Sequence, residues 1–253
     1  MSDFPIYIMH YSPNKNRKEL LSKILDKEIS LANFGGRYQW ILDFDKENVS
    51  YLDYYNNFSA NHLTHQQRQP TEYFPRYPLQ PEVISLCLKH KLAISTFLKE
   101  SSSEYCLFLE DDAILHEEFF SKLDKYMQSI PKNFDAAFIG QGCGKRIPEN
   151  ELVDGQYWYK KDYPADRNTD SIIFNRTFLK VLFDNLDYHK ISFPIDHEYS
   201  FWFRLLNANV YWLEPSIVTQ GSQVGLFDSF QPEHSRFIDK SLYIRKDLGD
   251  LLK

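Results

Sequence analysis

The segment that decides the fold reads Tyr105-Cys-Leu-Phe-Leu-Glu-Asp-Asp-Ala113, in which five aromatic, aliphatic or thiol residues run directly into three acids. A short, continuous run of this kind is typical of a strand that is buried on both faces of a sheet. In open α/β sheets the ligand crevice lies outside the carboxyl ends of the strands. The segment therefore predicts a central strand over 105–109, with a binding site at Glu110, Asp111 and Asp112.

Three adjacent carboxylates repel one another, so a partner has to offset their charge. Mg²⁺ or Mn²⁺ does this with oxygen ligands, and such an ion usually keeps several waters and is completed by substrate phosphates. The acid triplet therefore predicts a metal site that docks a diphosphate. The alternative is helix capping, in which Asp111 or Asp112 lies at the N-terminus of the next helix.

On both sides of this strand, short apolar runs alternate with segments of helical periodicity. This alternation predicts an α/β fold with a central mixed, mostly parallel sheet flanked by helices. Further strands are expected near 5–10, 38–43, 136–139, 171–174, 210–213 and 217–219, and helices near 17–26, 81–97, 117–127 and 177–185 and from 193 onward.

The chain length of 253 residues suits one domain spanning 1–253. Within it, the polar, aromatic and proline-punctuated stretch at about 44–80 is expected to be a long insertion, and long loops in compact domains tend to be functional. The stretch at about 222–253 is expected to form a C-terminal tail.

The composition excludes several classes of protein. Lys and Arg number 29 against 35 Asp and Glu, a formal net charge of −6, and the chain has no basic block, which argues against a nucleic-acid partner. No stretch approaches the roughly 20 apolar residues of a membrane span.

The compartment is indicated by the cysteines and the N-terminus. The three cysteines Cys87, Cys106 and Cys143 are odd in number and far apart, which fits neither a disulfide framework nor a zinc site. The first residues lack the basic and apolar regions of a signal peptide. Buried, reduced thiols in a cytoplasmic protein are therefore expected.

Several blocks of the chain resemble glycosyltransferase family 25, which includes lipopolysaccharide and collagen β-galactosyltransferases. The resemblance rests on Ser85-Leu-Cys-Leu-Lys-His90, on Tyr105–Ala113, on Ile6-Tyr-Ile-Met-His10 with Arg17 downstream, on Phe193-Pro-Ile-Asp196 and on Glu214-Pro215 with Gln220. It implies a GT-A nucleotide-sugar fold. The sequence departs from the family at Lys89, where a serine usually precedes the histidine, and over 44–80, which matches no known block.

The resemblance also implies roles for the acids and for residues around them. Glu110 or Asp111 would reach toward the nucleotide ribose, and Asp112, with Asp111 as a second ligand, would hold Mn²⁺ or Mg²⁺ against the two phosphates. His10 and Arg17 would belong to the donor site. His90 would orient the donor, or else it is a satisfied core histidine.

Two cations follow a glycine-rich turn, Gly140-Gln-Gly-Cys-Gly144, that is neither a dinucleotide fingerprint nor a Walker sequence. Lys145 and Arg146 would stabilise the charge that builds on a departing nucleoside diphosphate. The alternative is that both are solvated surface charges.

Transfer with inversion also needs a base for the acceptor hydroxyl. Asp196, with Glu198 as the second choice, begins an aromatic-rich segment that would raise a carboxylate pKa toward neutrality. The alternative is an N-cap and a first-turn acid of a core helix. His234 is a candidate residue for the far side of the metal, or an ordinary exposed histidine.

The sequence therefore predicts a metal-dependent glycosyltransferase that moves a hexose, galactose or glucose, from a UDP-sugar to a glycan or glycosylated acceptor, with inversion. Two alternatives stay open. A metal-dependent nucleotide-sugar hydrolase would use the same acids without an acceptor, and a non-catalytic glycan-binding or scaffold protein would keep the fold and the aromatic residues without metal dependence.

Overall fold

The fold is centred on a seven-stranded sheet, with a second sheet of two strands beside it. The computed structural model describes residues 4–58, 79–142, 144–228 and 243–253. Its strands are β1 (Ile6–Met9), β2 (Tyr38–Ile41), β3 (Tyr105–Glu110), β4 (Ala113–Leu115), β5 (Ala136–Phe138), β6 (Trp158–Lys161), β7 (Ser171–Asn175), β8 (Val210–Leu213) and β9 (Val218–Gln220).

The large sheet has the strand order β2-β1-β3-β7-β5-β8-β6, and β4 pairs with β9 in the small one. β1 is parallel to β2 and β3, and β8 is parallel to β5. β7 runs antiparallel to both of its neighbours, and β6 is antiparallel to β8. The prediction of a mixed, mostly parallel sheet is thus confirmed.

Helices pack on both faces of the sheet. They are α1 (Lys15–Ala32), α2 (Tyr51–Asn57), α3 (Pro81–Glu100), α4 (Phe119–Met127), α5 (Arg176–His189), α6 (Ile195–Leu205) and α7 (Leu248–Leu251). One apolar core contains residues of α3, α5 and α6, and the other contains residues of α1 and α4.

β3 lies between these two cores, as its sequence predicts. Cys106 and Phe108 belong to the core with α3, whereas Leu107 and Leu109 belong to the core with α1, and none of the four is exposed. Burying a side chain such as Phe108 contributes about 1.5–3 kcal/mol, so this strand is tightly held. Its carboxyl end is therefore a rigid place for the acids that follow.

Three elements were not predicted from the sequence: α2, β4 and β6. α2 occupies part of the predicted insertion and begins with a capping box, in which the Ser50 side chain and Asp53 bond each other's backbone N–H groups. β4 has only three residues, and β6 falls in a stretch without clear periodicity. The rest of the insertion, 59–78, lies outside the described residues.

Cys87 and Cys106 are both free and buried, as expected, and Cys143 lies outside the described residues. Within the described ranges, no helix has the length and apolar character that a membrane crossing requires.

Candidate functional site

Four carboxylates meet at the carboxyl end of β3. Glu110 is the last residue of this strand, and Asp111 and Asp112 form the turn to β4. The fourth is Asp170, which directly precedes β7. Because β7 is antiparallel to β3, its beginning lies against the end of β3, and the Glu110 N–H donates to the Asp170 carbonyl oxygen at 3.0 Å.

Asp111 is fully bound within the protein. Its Oδ1 accepts a hydrogen bond from Arg17 Nη1 at 2.9 Å, and its Oδ2 lies 2.8 Å from His10 Nδ1 and accepts from the Tyr11 N–H at 3.2 Å. All three side chains are buried. The structure thus brings together His10, Arg17 and Asp111, which the sequence predicts to belong to the donor site. Here they bind one another, and their contacts fix the loop after β1 to the end of β3.

Asp112 and Asp170 are also buried, but they have few hydrogen-bond partners among the described residues. Asp112 Oδ2 accepts one long hydrogen bond, 3.3 Å, from the Ser222 N–H. Among the described residues, Asp112 Oδ1 and both carboxylate oxygens of Asp170 have no hydrogen-bond partner, although the two residues are only 3% and 0% exposed. Buried polar atoms without partners are costly and call for a missing ligand or proton.

The electrostatics reflect the burial of these acids, and the nearby Ser171 and Arg167, which lower the pKa of Asp170, do not cancel the effect of burial. Burial, reinforced by repulsion from Asp112, raises the pKa of Glu110 to about 8 and that of Asp170 to about 7. Burial also raises the pKa of Asp112, against the lowering effect of Arg17. A charged group without compensation in a low-dielectric site takes up a proton, or it binds a cation.

The glycine-rich turn packs directly on this acid cluster. A Cβ at Gly140 would lie 2.1 Å from Asp170 Oδ2, and one at Gly142 would lie 1.5 Å from the Arg167 carbonyl oxygen. Gly142 also has a φ of +33°. Only glycine allows the backbone of the turn to come so close to the 167–171 segment. The glycines therefore serve the packing of the turn against this segment, and the turn does not form a phosphate loop.

The donor set fits a hard divalent cation that is shared with a ligand. No group of three metal-ligating side chains that could hold an ion occurs in the part of the chain that the structure describes. Mg²⁺, however, is usually held by one or two carboxylates together with waters and substrate phosphates. Asp112 and Asp170 offer three unpartnered oxygens for such an arrangement, and Glu110 is engaged by the Thr169 hydroxyl.

The two predicted phosphate-binding cations lie beyond the glycine-rich turn. Lys145 Nζ pairs with Asp166 at 2.5 Å, and Arg146 is exposed. The buried cation here is Arg167, which sequence reasoning missed. It donates to the carbonyl oxygens of Lys145 and Leu213 and pairs with Glu214, so it holds the turn in place.

His90 lies in the core. It is fully buried, its Nδ1 lies 3.1 Å from the Tyr199 hydroxyl, and burial lowers its pKa to about 3. A side chain with no exposed surface cannot touch a nucleotide in this conformation. Of the two interpretations of His90, the arrangement favours the core histidine.

Glu198 is also buried, in contrast with its predicted role as a second-choice base. It accepts hydrogen bonds from the Ser192 and Phe193 N–H groups at 2.9 and 3.0 Å and from Trp202 Nε1 at 2.8 Å. These contacts close the first turn of α6. Asp196, two residues earlier, is half-buried at the start of α6, and His234 lies outside the described residues.

Lys89, which departs from the family pattern, is a buried structural residue. Its Nζ donates to Asp45 Oδ1 at 2.9 Å and to the carbonyl oxygens of Leu42 and Asp43 at 3.1 and 2.7 Å. It thereby ties α3 to the segment after β2. Sequence reasoning also missed Asp170, since its only local signal is an acid before an apolar strand.

The strand order, the two helical layers and the acidic carboxyl end of β3 together define a GT-A-like fold. A solved structure that shares it is a glycosyltransferase involved in the glycosylation of the major capsid of the virus PBCV-1. The two chains are 10% identical with a TM-score of 0.50, over 95% of this chain and 100% of that one. At this identity, the likeness shows the fold.

Weaker likenesses include the S. aureus TarS fragment 1-349 in complex with UDP-GlcNAc, which is 16% identical with a TM-score of 0.42, over 99% of this chain and 64% of that one. The glycosyltransferase GlyE of Streptococcus pneumoniae TIGR4 is 12% identical with a TM-score of 0.41, over 100% and 62%. No family model and no curated protein sequence matches the chain, so the resemblance to family 25 stays a prediction.

Proposed function

We propose that this protein is a metal-dependent glycosyltransferase that transfers a hexose from a UDP-sugar to a glycan or glycosylated acceptor with inversion. The observation that carries the proposal is the pair of buried carboxylates Asp112 and Asp170 at the carboxyl edge of a GT-A-like sheet, which together have three oxygens without a hydrogen-bond partner in the described part of the chain. A cation that is bridged to a diphosphate would satisfy their oxygens.

The residues divide into ligands and supports. Asp112 and Asp170 would hold Mn²⁺ or Mg²⁺, which when bound supplies positive charge against the departing diphosphate. Glu110, half-buried and bonded by Thr169, would face the ribose. Asp111 would act through Arg17 and His10, because its own oxygens are occupied.

Asp196 is the carboxylate we propose as base, in preference to Glu198. Residues of α3 contact both the segment after β2 and the segment before α6: Ser85 Oγ donates to the Phe44 carbonyl oxygen and Cys87 Sγ to that of Phe193. The start of α6 therefore lies toward the carboxyl edge of the sheet. Asp196 keeps exposed surface there, whereas three donors occupy Glu198.

The transfer step balances with these groups. The acceptor hydroxyl oxygen bonds to the anomeric carbon as the bond from that carbon to the diphosphate oxygen breaks. UDP leaves with the electron pair, and the hydroxyl proton passes to the Asp196 carboxylate. Inversion follows because attack and departure occur on opposite faces of the sugar.

Calorimetric titration with UDP, GDP and CMP, each with and without Mn²⁺, tests the donor class. UDP that binds at least about tenfold more tightly with Mn²⁺, and more tightly than the other two nucleotides, would support the proposal. Binding of none of them would favour the scaffold alternative. Turnover of a UDP-sugar that is equally fast with and without acceptor would favour the hydrolase.

A further inference from the structure

A cleft of about 370 Å³ opens beside the acid cluster, a volume within the range of small-molecule sites. It is bounded by the end of β5, by the segment after β8 and by α4. The side chains that carry the inference are His116, Lys122, Tyr126, Gln141, Arg146 and Tyr243.

The cleft adjoins the proposed metal site through Gln141. Gln141 directly follows Gly140, whose added Cβ would lie 2.1 Å from Asp170 Oδ2, and consecutive Cα atoms are 3.80 Å apart. His116 follows Asp112 by four residues, which span at most about 14 Å. A molecule in the cleft would therefore have one end beside the acids.

Gln141 and His116 each bring a hydrogen-bond acceptor to the lining of the cleft. Gln141 is 9% exposed, and its Oε1 has no partner among the described residues. His116 Nε2 lies 2.9 Å from Thr219 Oγ1, and the Thr219 hydroxyl donates to the Tyr243 carbonyl oxygen at 2.8 Å.

The tautomer of His116 follows from this chain of contacts. A hydroxyl has one hydrogen, so Nε2 must donate to Thr219 and Nδ1 carries the lone pair. Burial, with a smaller effect of Lys122, lowers the pKa of His116 to about 4, so the ring is neutral at physiological pH. Two acceptors that await donors suit a ligand with several hydroxyl groups.

The charge of the cleft is positive, in contrast with the chain as a whole. Lys122 is half-buried and has no ion-pair partner within the described ranges, and Arg146 is exposed at the same cleft. Among the described residues that line the cleft, the one acid, Glu214, is paired with Arg167, and Glu117, next to His116, accepts a hydrogen bond from the Tyr243 hydroxyl. The formal net charge of the protein is −6, so this local excess indicates recognition of a negative group.

We propose that this cleft is the acceptor subsite and that it binds a saccharide with a carboxylate or phosphate substituent. His116 Nδ1 and Gln141 Oε1 accept its hydroxyl hydrogens, and Lys122 and Arg146 bind its negative group. Tyr243, which is 38% exposed, offers ring surface to the sugar. The assignment as an acceptor site rests on the proposed transferase function, but the ligand chemistry of the cleft does not.

Titration of the purified protein with methyl glucuronide, glucose 6-phosphate and methyl glucoside, without metal or donor, tests the ligand chemistry. We expect both anionic sugars to bind at least tenfold more tightly than the neutral glucoside. Lys122→Gln should remove most of that difference. Gln141→Leu should weaken all three sugars. Lys125→Gln is the matched control, because Lys125 lies on the same helix but over the Tyr157 ring, outside the cleft.

Equal binding of charged and neutral sugars, or an equal effect of Lys122→Gln and Lys125→Gln, would overturn the inference. Titration of the same variants with UDP and Mn²⁺ separates the two proposals. UDP binding without any preference for anionic sugars would overturn the cleft assignment and leave the transferase function intact. Tight binding of anionic sugars without UDP binding would keep the ligand chemistry and overturn the acceptor role.

Discussion

Asp170 and Glu198 are both buried carboxylates at the beginning of a secondary-structure element, and burial raises the pKa of each to about 7. Their surroundings differ. Glu198 accepts three hydrogen bonds from Ser192, Phe193 and Trp202, whereas neither oxygen of Asp170 has a partner in the described part of the chain. Burial and a raised pKa therefore do not distinguish the two carboxylates, whereas the number of hydrogen-bond donors around each of them does.

The same contrast separates neighbours in the acid triplet. Asp111 is saturated by His10, Tyr11 and Arg17, while Asp112 receives one long hydrogen bond. Side chains that are adjacent in sequence thus have different uses: Asp111 stabilises the end of β3, and Asp112 keeps an oxygen available for a ligand.

The largest effect is expected from Asp170→Asn. If Asp170 holds the cation, replacing its carboxylate with a neutral amide should lower Mn²⁺-dependent turnover of a UDP-sugar at least about 100-fold, because the charge that retains the ion is lost. The exposed Asp187, paired with Lys91, provides the control Asp187→Asn. Full turnover by the Asp170 variant would remove it from the site.

Arg17→Met tests the structural role of Asp111, whose two carboxylate oxygens are both occupied by hydrogen bonds. It leaves Asp111 buried with one charged donor missing, and breaking a buried pair in this way typically costs about 3–5 kcal/mol of unfolding free energy. Urea denaturation measures this loss. Lys23→Met, which breaks an exposed pair with Glu19, should cost under about 1 kcal/mol. Equal stability of the two variants would contradict the structural role of Arg17.

Glu198→Gln should cost about 1–3 kcal/mol of unfolding free energy, because the amide nitrogen faces N–H donors and leaves one of them unsatisfied. Mn²⁺-assisted UDP binding should be unchanged. A Glu198→Gln variant with normal stability and no transferase activity would indicate instead that Glu198 acts in catalysis.

The smallest effect concerns pH. Between about pH 6.5 and 8 the native state holds protons on Asp170 and Glu110, and also on Glu198, that the unfolded chain has released, so stability should fall as pH rises through this window. Below this window the lowered pKa values of His90 and His116 act in the opposite direction. Thermal unfolding in a chelator should show a midpoint that decreases by a few degrees, and Asp170→Asn should flatten the slope. A midpoint that rises over the same window would contradict this account of the two carboxylates.

Much of the fold could be predicted from Tyr105–Asp112, because a fully buried strand and its acidic end leave a local signature. Asp170 could not be predicted as part of the site, since its position depends on β7 pairing with β3, which is a property of the strand order. The saturation of Asp111 depends on Arg17, 94 residues away, and the role of Lys89 on a segment 44 residues away. Local patterns carry no information on such contacts.

The central claim is that Asp112 and Asp170 together hold a divalent cation against a diphosphate. The most direct test is electron paramagnetic resonance of Mn²⁺ titrated into the wild type and the Asp112→Asn/Asp170→Asn double variant, with UDP present. The account predicts that the wild type removes the free Mn²⁺ signal in a one-to-one complex that requires UDP, and that the double variant leaves the signal free. Equal Mn²⁺ uptake by both proteins would contradict it.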